Sequence, residues 1–321
     1  MSREDRAAHW SIVTCDPPIV AKLQLFIMRV AGKLIGHTVK RGVGTAIGVF
    51  GRLFPSNTSA VVDLGRGTTI KLMLHDAYWW GPLFQQGFYE PEIARVLDNV
   101  LQADTTFIDC GASNGWWSVY ALGLRQVGQI IAIEASPIMF SELVSNSDRN
   151  GGGITCVNKA IWASSGNKVD FWTDSERFSW SSASPSVIET LKTEGFRCFR
   201  VPTIGLDDLT KELIPDRAIK IVIKLDVEGV ERQVIEGAAQ TLEREALLIY
   251  EDHGRDSEHL VTRALEQKYR FSIYRCHPNG SLQRSSSCDL AEFCTDVRKG
   301  YNLVACRPES AMDQRLRGLL V

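Results

Sequence analysis

The stretch Phe107-Ile108-Asp109-Cys110-Gly111-Ala112-Ser113-Asn114-Gly115, with Glu134 nineteen residues past its last glycine, constrains the fold more than any other part of the chain. Its apolar start predicts a strand, its glycines a tight turn, and the residues after Gly115 a helix. Glu134 then falls at the tip of the next apolar run. Strand, glycine turn, helix, strand and acid in this order are how an open α/β sheet holds a nucleoside. The turn lets backbone approach the ligand, and the acid accepts from the ribose hydroxyls.

The rest of the chain continues that alternation. Strands are predicted at 105–110, 129–134, 154–158, 219–226, 246–251, 270–275 and 301–306, and helices at 115–125, 137–149, 229–242 and 257–268. In the first of these helices Trp117, Tyr120, Ala121 and Leu124 recur at i, i+3, i+4 and i+7, a buried stripe. Glu90-Pro91-Glu92 opens a further helix running to about Gln102, with proline at its first position and acids on the positive end of the helix dipole. The fold class implied is α/β, doubly wound, with a mainly parallel sheet and ligands at the carboxyl ends of the strands. Phe271–Tyr274 and Leu303–Cys306 have no clear helix between them and are expected to pair antiparallel. Upstream, 61–74 alternates around a Gly-Arg-Gly turn at 65–67, a hairpin signature. Residues 1 to about 55 read as a helical extension. Residues 163–205 interrupt the pattern with a strand near Val169–Trp172 and a serine-rich run at 179–184. Two readings stand for them: a loop over the active site, or a tolerated surface insertion.

Charge and cysteine usage exclude some classes. The 321 residues are 44% hydrophobic and 23% charged, with a net charge of −2. That is the composition of a globular protein, without the basic surplus of a general nucleic-acid binder. Eight cysteines form no CxxC pair or zinc spacing. Cys110 and Cys156 fall in predicted strands as small hydrophobes; Cys288 and Cys294, in the last quarter of the chain, are a candidate pair set against the reduced state that the cysteine usage favours. The expectation is a reducing, cytoplasmic compartment, and the charged start, Met1 to Arg6, predicts no signal peptide. Between Ile19 and Phe54 the sequence has Lys22, Arg29, Lys33, Lys40, Arg41 and Arg52 and no acid. Lys22, Arg29, Lys33 and Lys40 share one helical face. Either this extension lies on an anionic membrane surface, a peripheral contact through residues 19–54, or it packs on the catalytic domain or on a twin subunit of a homo-oligomer.

The opening turn also limits the ligand. A nicotinamide dinucleotide site requires G-x-G-x-x-G; here the order is Asp-x-Gly-Ala-x-x-Gly, with an acid where a pyrophosphate would be repelled. A zwitterionic ligand with a cationic sulfur suits it, because Asp109 can accept from the amino group of a methionine moiety. Farther on come Thr203-Ile204-Gly205-Leu206-Asp207-Asp208-Leu209 and, closing the fourth strand, Lys224-Leu225-Asp226-Val227-Glu228-Gly229-Val230-Glu231. With the 107–115 turn, these motifs resemble the FkbM family of S-adenosylmethionine-dependent methyltransferases. The resemblance covers about residues 87–275 and is most specific in the last motif. It implies a class I methyltransferase (Rossmann-like) fold of seven strands, the last antiparallel. It also implies methyl transfer to a hydroxyl of a sugar, a cell-surface glycan or a natural product. By that likeness Asp109, Gly111, Ala112, Ser113, Gly115, Glu134 and Ala135 hold S-adenosyl-L-methionine. Asn158 and Ala160 lie beside the adenine, and Glu90, in the element Tyr89-Glu90, covers the methionine end. Two departures are Ser113, where the family leads one to expect asparagine, and Ala135-Ser136 between Glu134 and Pro137. The domains expected are an extension at 1–86, the FkbM-type domain at 87–310 and a tail at 311–321.

Displacement at a sulfonium methyl depends on alignment, and an alcohol needs its proton removed. Asp226 closes the fourth strand, Glu251 and Asp252 the fifth, and His253 follows, so Asp226, His253 and Glu251 are the candidate catalytic groups. Adjacent strand ends lie about 5 Å apart, so Asp226, Glu251 and Asp252 are expected to share one mouth and offer oxygen ligands to Mg2+. His253 otherwise reads as a solvated loop residue, Glu231 as an acid of the first helical turn, and Lys224 as an ion-pair partner that fixes Asp226. Trp116, Trp117 and Trp180 read as core, or as a platform for a sugar. The motifs argue against nucleobase amino methylation: Asp16-Pro17-Pro18-Ile19 is a near match to the element it needs, but it ends in isoleucine and lies in the wrong place. A non-catalytic S-adenosylmethionine-binding interaction protein on the same scaffold remains the alternative reading.

Overall fold

The computed structural model describes residues 11–35, 57–76, 79, 89–174, 181–183, 196–227, 229–253, 256, 258–296 and 300–321. Strand β1 (Ser11–Asp16) and helix α1 (Pro18–Ile35) precede a hairpin, β2 (Ser59–Gly65) and β3 (Thr68–Met73). Helix α2 (Pro91–Val100) leads into β4 (Thr105–Cys110), α3 (Trp116–Gly123), β5 (Gln129–Ile133), α4 (Pro137–Arg149) and β6 (Thr155–Val157). A ribbon of β7 (Ala160–Ile161), β8 (Lys168–Asp174), β9 (Ser181–Ser182) and β10 (Phe196–Ile204) follows. Then come α5 (Leu206–Leu213), β11 (Lys220–Leu225), α6 (Glu231–Glu236), α7 (Ala239–Leu242), β12 (Ala246–His253) and α8 (Leu260–Gln267). The chain closes with β13 (Ser272–Cys276), β14 (Leu282–Ser285), α9 (Ser287–Phe293), β15 (Gly300–Cys306) and α10 (Ala311–Leu316).

Among the described residues the main sheet has the order β14-β13-β15-β12-β11-β4-β5-β6. The run from β12 to β6 is parallel, and β15 is antiparallel to both of its neighbours. The seven expected strands are all present, with β13 and β15 paired antiparallel as their sequences suggested. Strand β14 is an unforeseen eighth at the edge; Leu282-Gln283-Arg284-Ser285 lacks the apolar alternation that announces a strand. The chain reverses its direction of winding between β4 and β11, so the crevice opens at their carboxyl ends.

Alternation along each strand divides the core in two. Phe107, Ala132, Val222, Leu247, Ile249 and Val304 face α2, α3, α10 and the β2–β3 hairpin. Ile108, Ile131, Ile223, Leu248, Tyr250 and Leu303 face α5 to α9. The hairpin therefore shares the main core rather than standing apart in an extension. Among the described residues its β3 edge is covered without a further strand. Asn150 of α4 accepts from Thr69 N (2.9 Å) and donates to Thr69 O (2.7 Å), and Asn146, one turn earlier, does the same with Lys71 at 2.8 and 3.3 Å. Two side-chain amides at i, i+4 thus satisfy backbone groups that an open edge would leave unpaired. Residues 311–321, expected as a tail, begin with α10; Met312 and Leu316 are buried and Arg315 grips Asp104 at 2.8 and 2.9 Å.

The expected helix 229–242 divides into α6 and α7. Asp207, in the Thr-x-x-x-Asp-Asp-Leu run, reaches across from α5 to accept from the backbone N–H of Gln240 (3.0 Å) and Thr241 (2.8 Å). It satisfies orphan donors at the start of α7, a capping function supplied from another helix. That motif is structural and lies away from the crevice. At the amino terminus β1 replaces part of the helix expected over 1–55, pairing antiparallel with β2; the rest of the extension beyond Ile35 lies outside the described residues. All eight cysteines are free thiols, with Cys288 exposed and Cys294 buried, so that pairing is not formed. No described helix is long and apolar enough to cross a membrane.

Candidate active site

A cleft open to solvent lies across the carboxyl ends of β4, β5 and β11. Its floor is the glycine turn after β4. Gly111 has φ +79°, and a Cβ there would run into the backbone carbonyl of Asp226, so the β4 turn and the end of β11 meet closely enough to require glycine. Gly115 has φ +89°, and its absent Cβ leaves room for Leu143 of α4, whose Cδ1 would stand 2.7 Å away. Ser113 is also left-handed, at φ +53°. The expected asparagine would suit this position, since asparagine tolerates this region better than serine.

Glu134 is buried, and its carboxylate accepts from Ser113 N and Ser136 N, both at 2.7 Å. It ties the β5 tip to the β4 turn. Burial pushes its carboxyl up to about 7, although the two backbone N–H groups hold it down. The inserted Ala135-Ser136 has a local purpose: Ser136 is the N-cap of α4, accepting from Met139 N, with Pro137 at the first helical position. Asp109 is buried beneath the turn; its Oδ2 accepts from Ser118 Oγ at 2.7 Å. Burial raises its carboxyl, with Lys224 and Ser118 opposing.

Asp109 and Lys224 stand side by side in the β4–β11 register, on the same sheet face. Lys224 is buried, with Nζ 2.7 Å from Asp226 Oδ2. Burial would depress this ammonium, but Asp226, Glu90 and Asp109 outweigh it and raise it well above the ordinary lysine range. Glu90 sits at the entry to α2, accepting from Trp117 Nε1 (3.2 Å) and Asn302 Nδ2 (3.0 Å). Burial raises its carboxyl too. One lysine thus answers three carboxylates; Asp109 and Asp226 line the cleft together with Glu134, while Glu90, expected to cover the methionine end, is not among the lining residues. Glu231 bonds the backbone N–H of Val227 and Gly229 at 3.1–3.3 Å, supporting the loop after β11 as expected of a first-turn acid. Glu228 lies outside the described residues.

Gly111, Ala112, Ser113, Glu134, Ala135, Ala160, Asp109 and Asp226 all line the cleft. Asn158 does not: its Nδ2 donates to the carbonyls of Glu134 and Ala135, at 2.8 and 3.3 Å, bracing the β5 tip from behind. Lys159 and Trp162, its neighbours, line the cleft instead. The inserted ribbon contributes Phe171 and Ala183 to the wall, packed with Ala135, Ala160 and Val201. The reading of 163–205 as a cover thus fits these described residues; Trp180 lies outside them. Trp116 and Trp117 are both core and wall: each is buried, each lines the cleft, and Trp116 stacks on Trp79 at 5.1 Å. Trp79 lies in the aromatic-rich stretch 75–86, which carries no periodicity to place its members, and Tyr89, named in sequence only as the neighbour of Glu90, also lines the cleft.

The three acids expected to share a magnesium ion are not brought together. Strand β12 runs on to His253, two residues past its expected end, so Glu251 and Asp252 fall on opposite faces of the sheet. Asp252 is buried on the α8 side, where His259 Nδ1 (2.8 Å) and Thr262 Oγ1 (2.7 Å) hold its two oxygens. Glu251 pairs in register with Asn302, on the Lys224 side. The His253 side chain lies outside the described residues.

The site suits a cationic nucleoside. Among the described residues, the buried polar atoms without a partner include Asp109 Oδ1, Ser113 Oγ and Asn114 Oδ1, which belong to one turn and line one cleft. Buried acceptors are rarely left unmade in a native fold, and these three await a donor-bearing ligand.

Comparison with known proteins gives a family model, "Methyltransferase FkbM domain", matching residues 109–273. A hexuronic acid methyltransferase, AglP, of Haloferax volcanii is 26% identical over 179 residues, 56% of this chain and 68% of that protein. Among solved structures, a precorrin-6y C5,15-methyltransferase of Geobacter metallireducens aligns with TM-score 0.38 and 14% identity, covering 68% of this chain and 89% of that one. An rRNA methylase of Streptococcus thermophilus aligns with TM-score 0.38 and 7% identity, covering 68% and 97%. Overlaps this loose carry no argument about activity.

Proposed function

Because the chain belongs to the FkbM family of S-adenosylmethionine-dependent methyltransferases, we propose that it methylates a hydroxyl of a sugar, a glycan or a sugar-bearing natural product, with Asp226 as the base. The observation that carries this reading is the Lys224–Asp226 ion pair at the switch point, beside the orphaned acceptors of the 109–114 turn. The hexuronic acid specificity named for the Haloferax relative supports a sugar acceptor.

Asp109, Ser113, Asn114 and Glu134 would hold S-adenosyl-L-methionine, the ribose against Glu134 and the cationic end toward the acid surplus. When bound, that cofactor supplies an electrophilic methyl group. Everything else is done by the chain. Asp226 follows β11 directly, its N–H fixed on Cys110 O at 3.1 Å. Its carboxylate is anchored by Lys224 yet its side chain is 24% exposed, so it can accept a proton from an incoming hydroxyl. Lys224 restrains its direction, and Glu231 restrains the loop that follows. Trp79, Trp116 and Phe171 make the wall apolar, which excludes water from the path between donor and acceptor.

Incubation with methyl-labelled cofactor and a panel of mono- and oligosaccharides tests the reading. Label stable to base, recovered on a sugar oxygen, is expected. Label found only on nitrogen, or turnover confined to nucleic acid, would contradict it, and cofactor binding without transfer to any acceptor would favour the non-catalytic alternative.

Glu134 gives a pH signature. Its carboxyl titrates near 7 in the free protein. Ribose hydroxyls donate much more strongly to the ionised form, whose two oxygens both accept, so binding lowers that value and releases a proton; affinity should therefore rise with pH through 7. Between pH 8 and pH 6 the cofactor should bind about tenfold more weakly at the lower value. Glu134→Gln should bind weakly at both pH values and lose the dependence. A flat wild-type profile by calorimetry would remove Glu134 from the ribose.

A further inference from the structure

Helix α1 carries an apolar face that no described residue covers. Its inner side is firmly held: Ala21 and Leu25 pack on Ala60 and Leu74, Gln24 Nε2 donates to Leu74 O at 2.9 Å, and Thr58 Oγ1 donates to Gln24 Oε1 at 2.7 Å. That anchoring turns the opposite side outward. Ile19 is 82% exposed, Leu23 53% and Phe26 64%, at i, i+4 and i+7, one continuous stripe. Val13 on the adjoining β1 is 56% exposed. Single exposed apolar residues are ordinary, but a row of three large ones on one helix marks an interaction surface.

The charges around the stripe select its partner. Lys22 is exposed between Ile19 and Leu23, and the segment from Ile19 to Phe54 holds six cations and no acid. A second copy of the chain meeting this face about a two-fold axis would set Lys22 against Lys22 with no carboxylate of the segment to separate them. An anionic bilayer offers both what the stripe lacks, an apolar phase, and what the cations lack, negative charge. We propose that α1 docks the enzyme on an anionic lipid surface. Ile19, Leu23 and Phe26 enter the boundary between headgroups and acyl chains, and Lys22 lies among the headgroups, the geometry of an interfacial amphipathic helix.

The test is co-sedimentation of the full chain with vesicles of phosphatidylcholine alone and of phosphatidylcholine with about 30% phosphatidylglycerol. Partitioning should be at least about tenfold stronger on the anionic vesicles and should fall steeply at about 1 M salt. Lys22→Gln should weaken it about fivefold, and Leu23→Ser with Phe26→Ser at least about tenfold. Cofactor binding should be unchanged in each variant, which shows that the fold is intact. Equal partitioning into both vesicle types, or full binding by the Leu23/Phe26 double variant, would overturn the proposal. So would concentration-dependent dimerisation in sedimentation equilibrium that the double variant abolishes, since the stripe would then belong to a second copy.

Discussion

Asp226→Asn is expected to lower turnover by about 10²–10⁴-fold, the range for losing a positioned general base, while the cofactor dissociation constant changes less than about tenfold. The substitution keeps size and leaves the residue one acceptor oxygen, but it removes the charge that draws a proton from the acceptor. Asp226 is suited to the task because its two duties are separable. Lys224 holds one oxygen at 2.7 Å, and the side chain still reaches the open part of the cleft. Stopped assays with saturating acceptor, paired with calorimetry on the same protein, read the two quantities independently. If turnover were unchanged, Asp226 would be only the anchor of Lys224.

Lys224→Met should cost about 3–5 kcal/mol of folding stability at pH 8, the cost of removing one member of a buried charge group. Lys224 is 4% exposed and compensates Asp226, Glu90 and Asp109. Methionine fills the same volume and supplies no charge, so the three carboxylates would be left facing one another. The pH dependence gives the prediction its sign. Carboxyls already raised by burial, Glu90 and Asp109, would rise further without the ammonium. A carboxyl that titrates higher in the folded state than in the unfolded one makes stability fall as pH rises between those two values. The variant's deficit should therefore be smaller at pH 5 than at pH 8 in urea denaturation. An equal deficit at both pH values would mean that lost packing, not charge, is responsible.

The parts of the site legible in the sequence are those fixed by backbone. The order of elements around Gly111, Gly115 and Glu134 follows from apolar periodicity and from turns that only glycine can make, so sequence and structure agree there closely. The Lys224–Asp226 pair was legible for a similar reason: two-residue spacing on a strand puts both side chains on one face. The same rule, applied across the end of β12, separates Glu251 from Asp252. That was hidden because the strand extends past the residues whose apolar alternation announces it, paired with Tyr301 and Gly300 on β15. Partners supplied by distant elements could not be foreseen. Asn158 looks like an adenine contact in sequence, yet the carbonyls of Glu134 and Ala135 capture it. Trp79, Phe171 and Trp162 reach the wall through tertiary packing that carries no local signal.

The central claim is that the cleft over the β4 turn binds S-adenosyl-L-methionine through Asp109 and Glu134. Titration of the purified chain with that cofactor in a calorimeter tests it directly. One saturable site per chain, lost in Asp109→Ala and in Glu134→Ala while both variants remain folded by circular dichroism, is the result expected. Absence of binding, or binding that survives both substitutions, would contradict it.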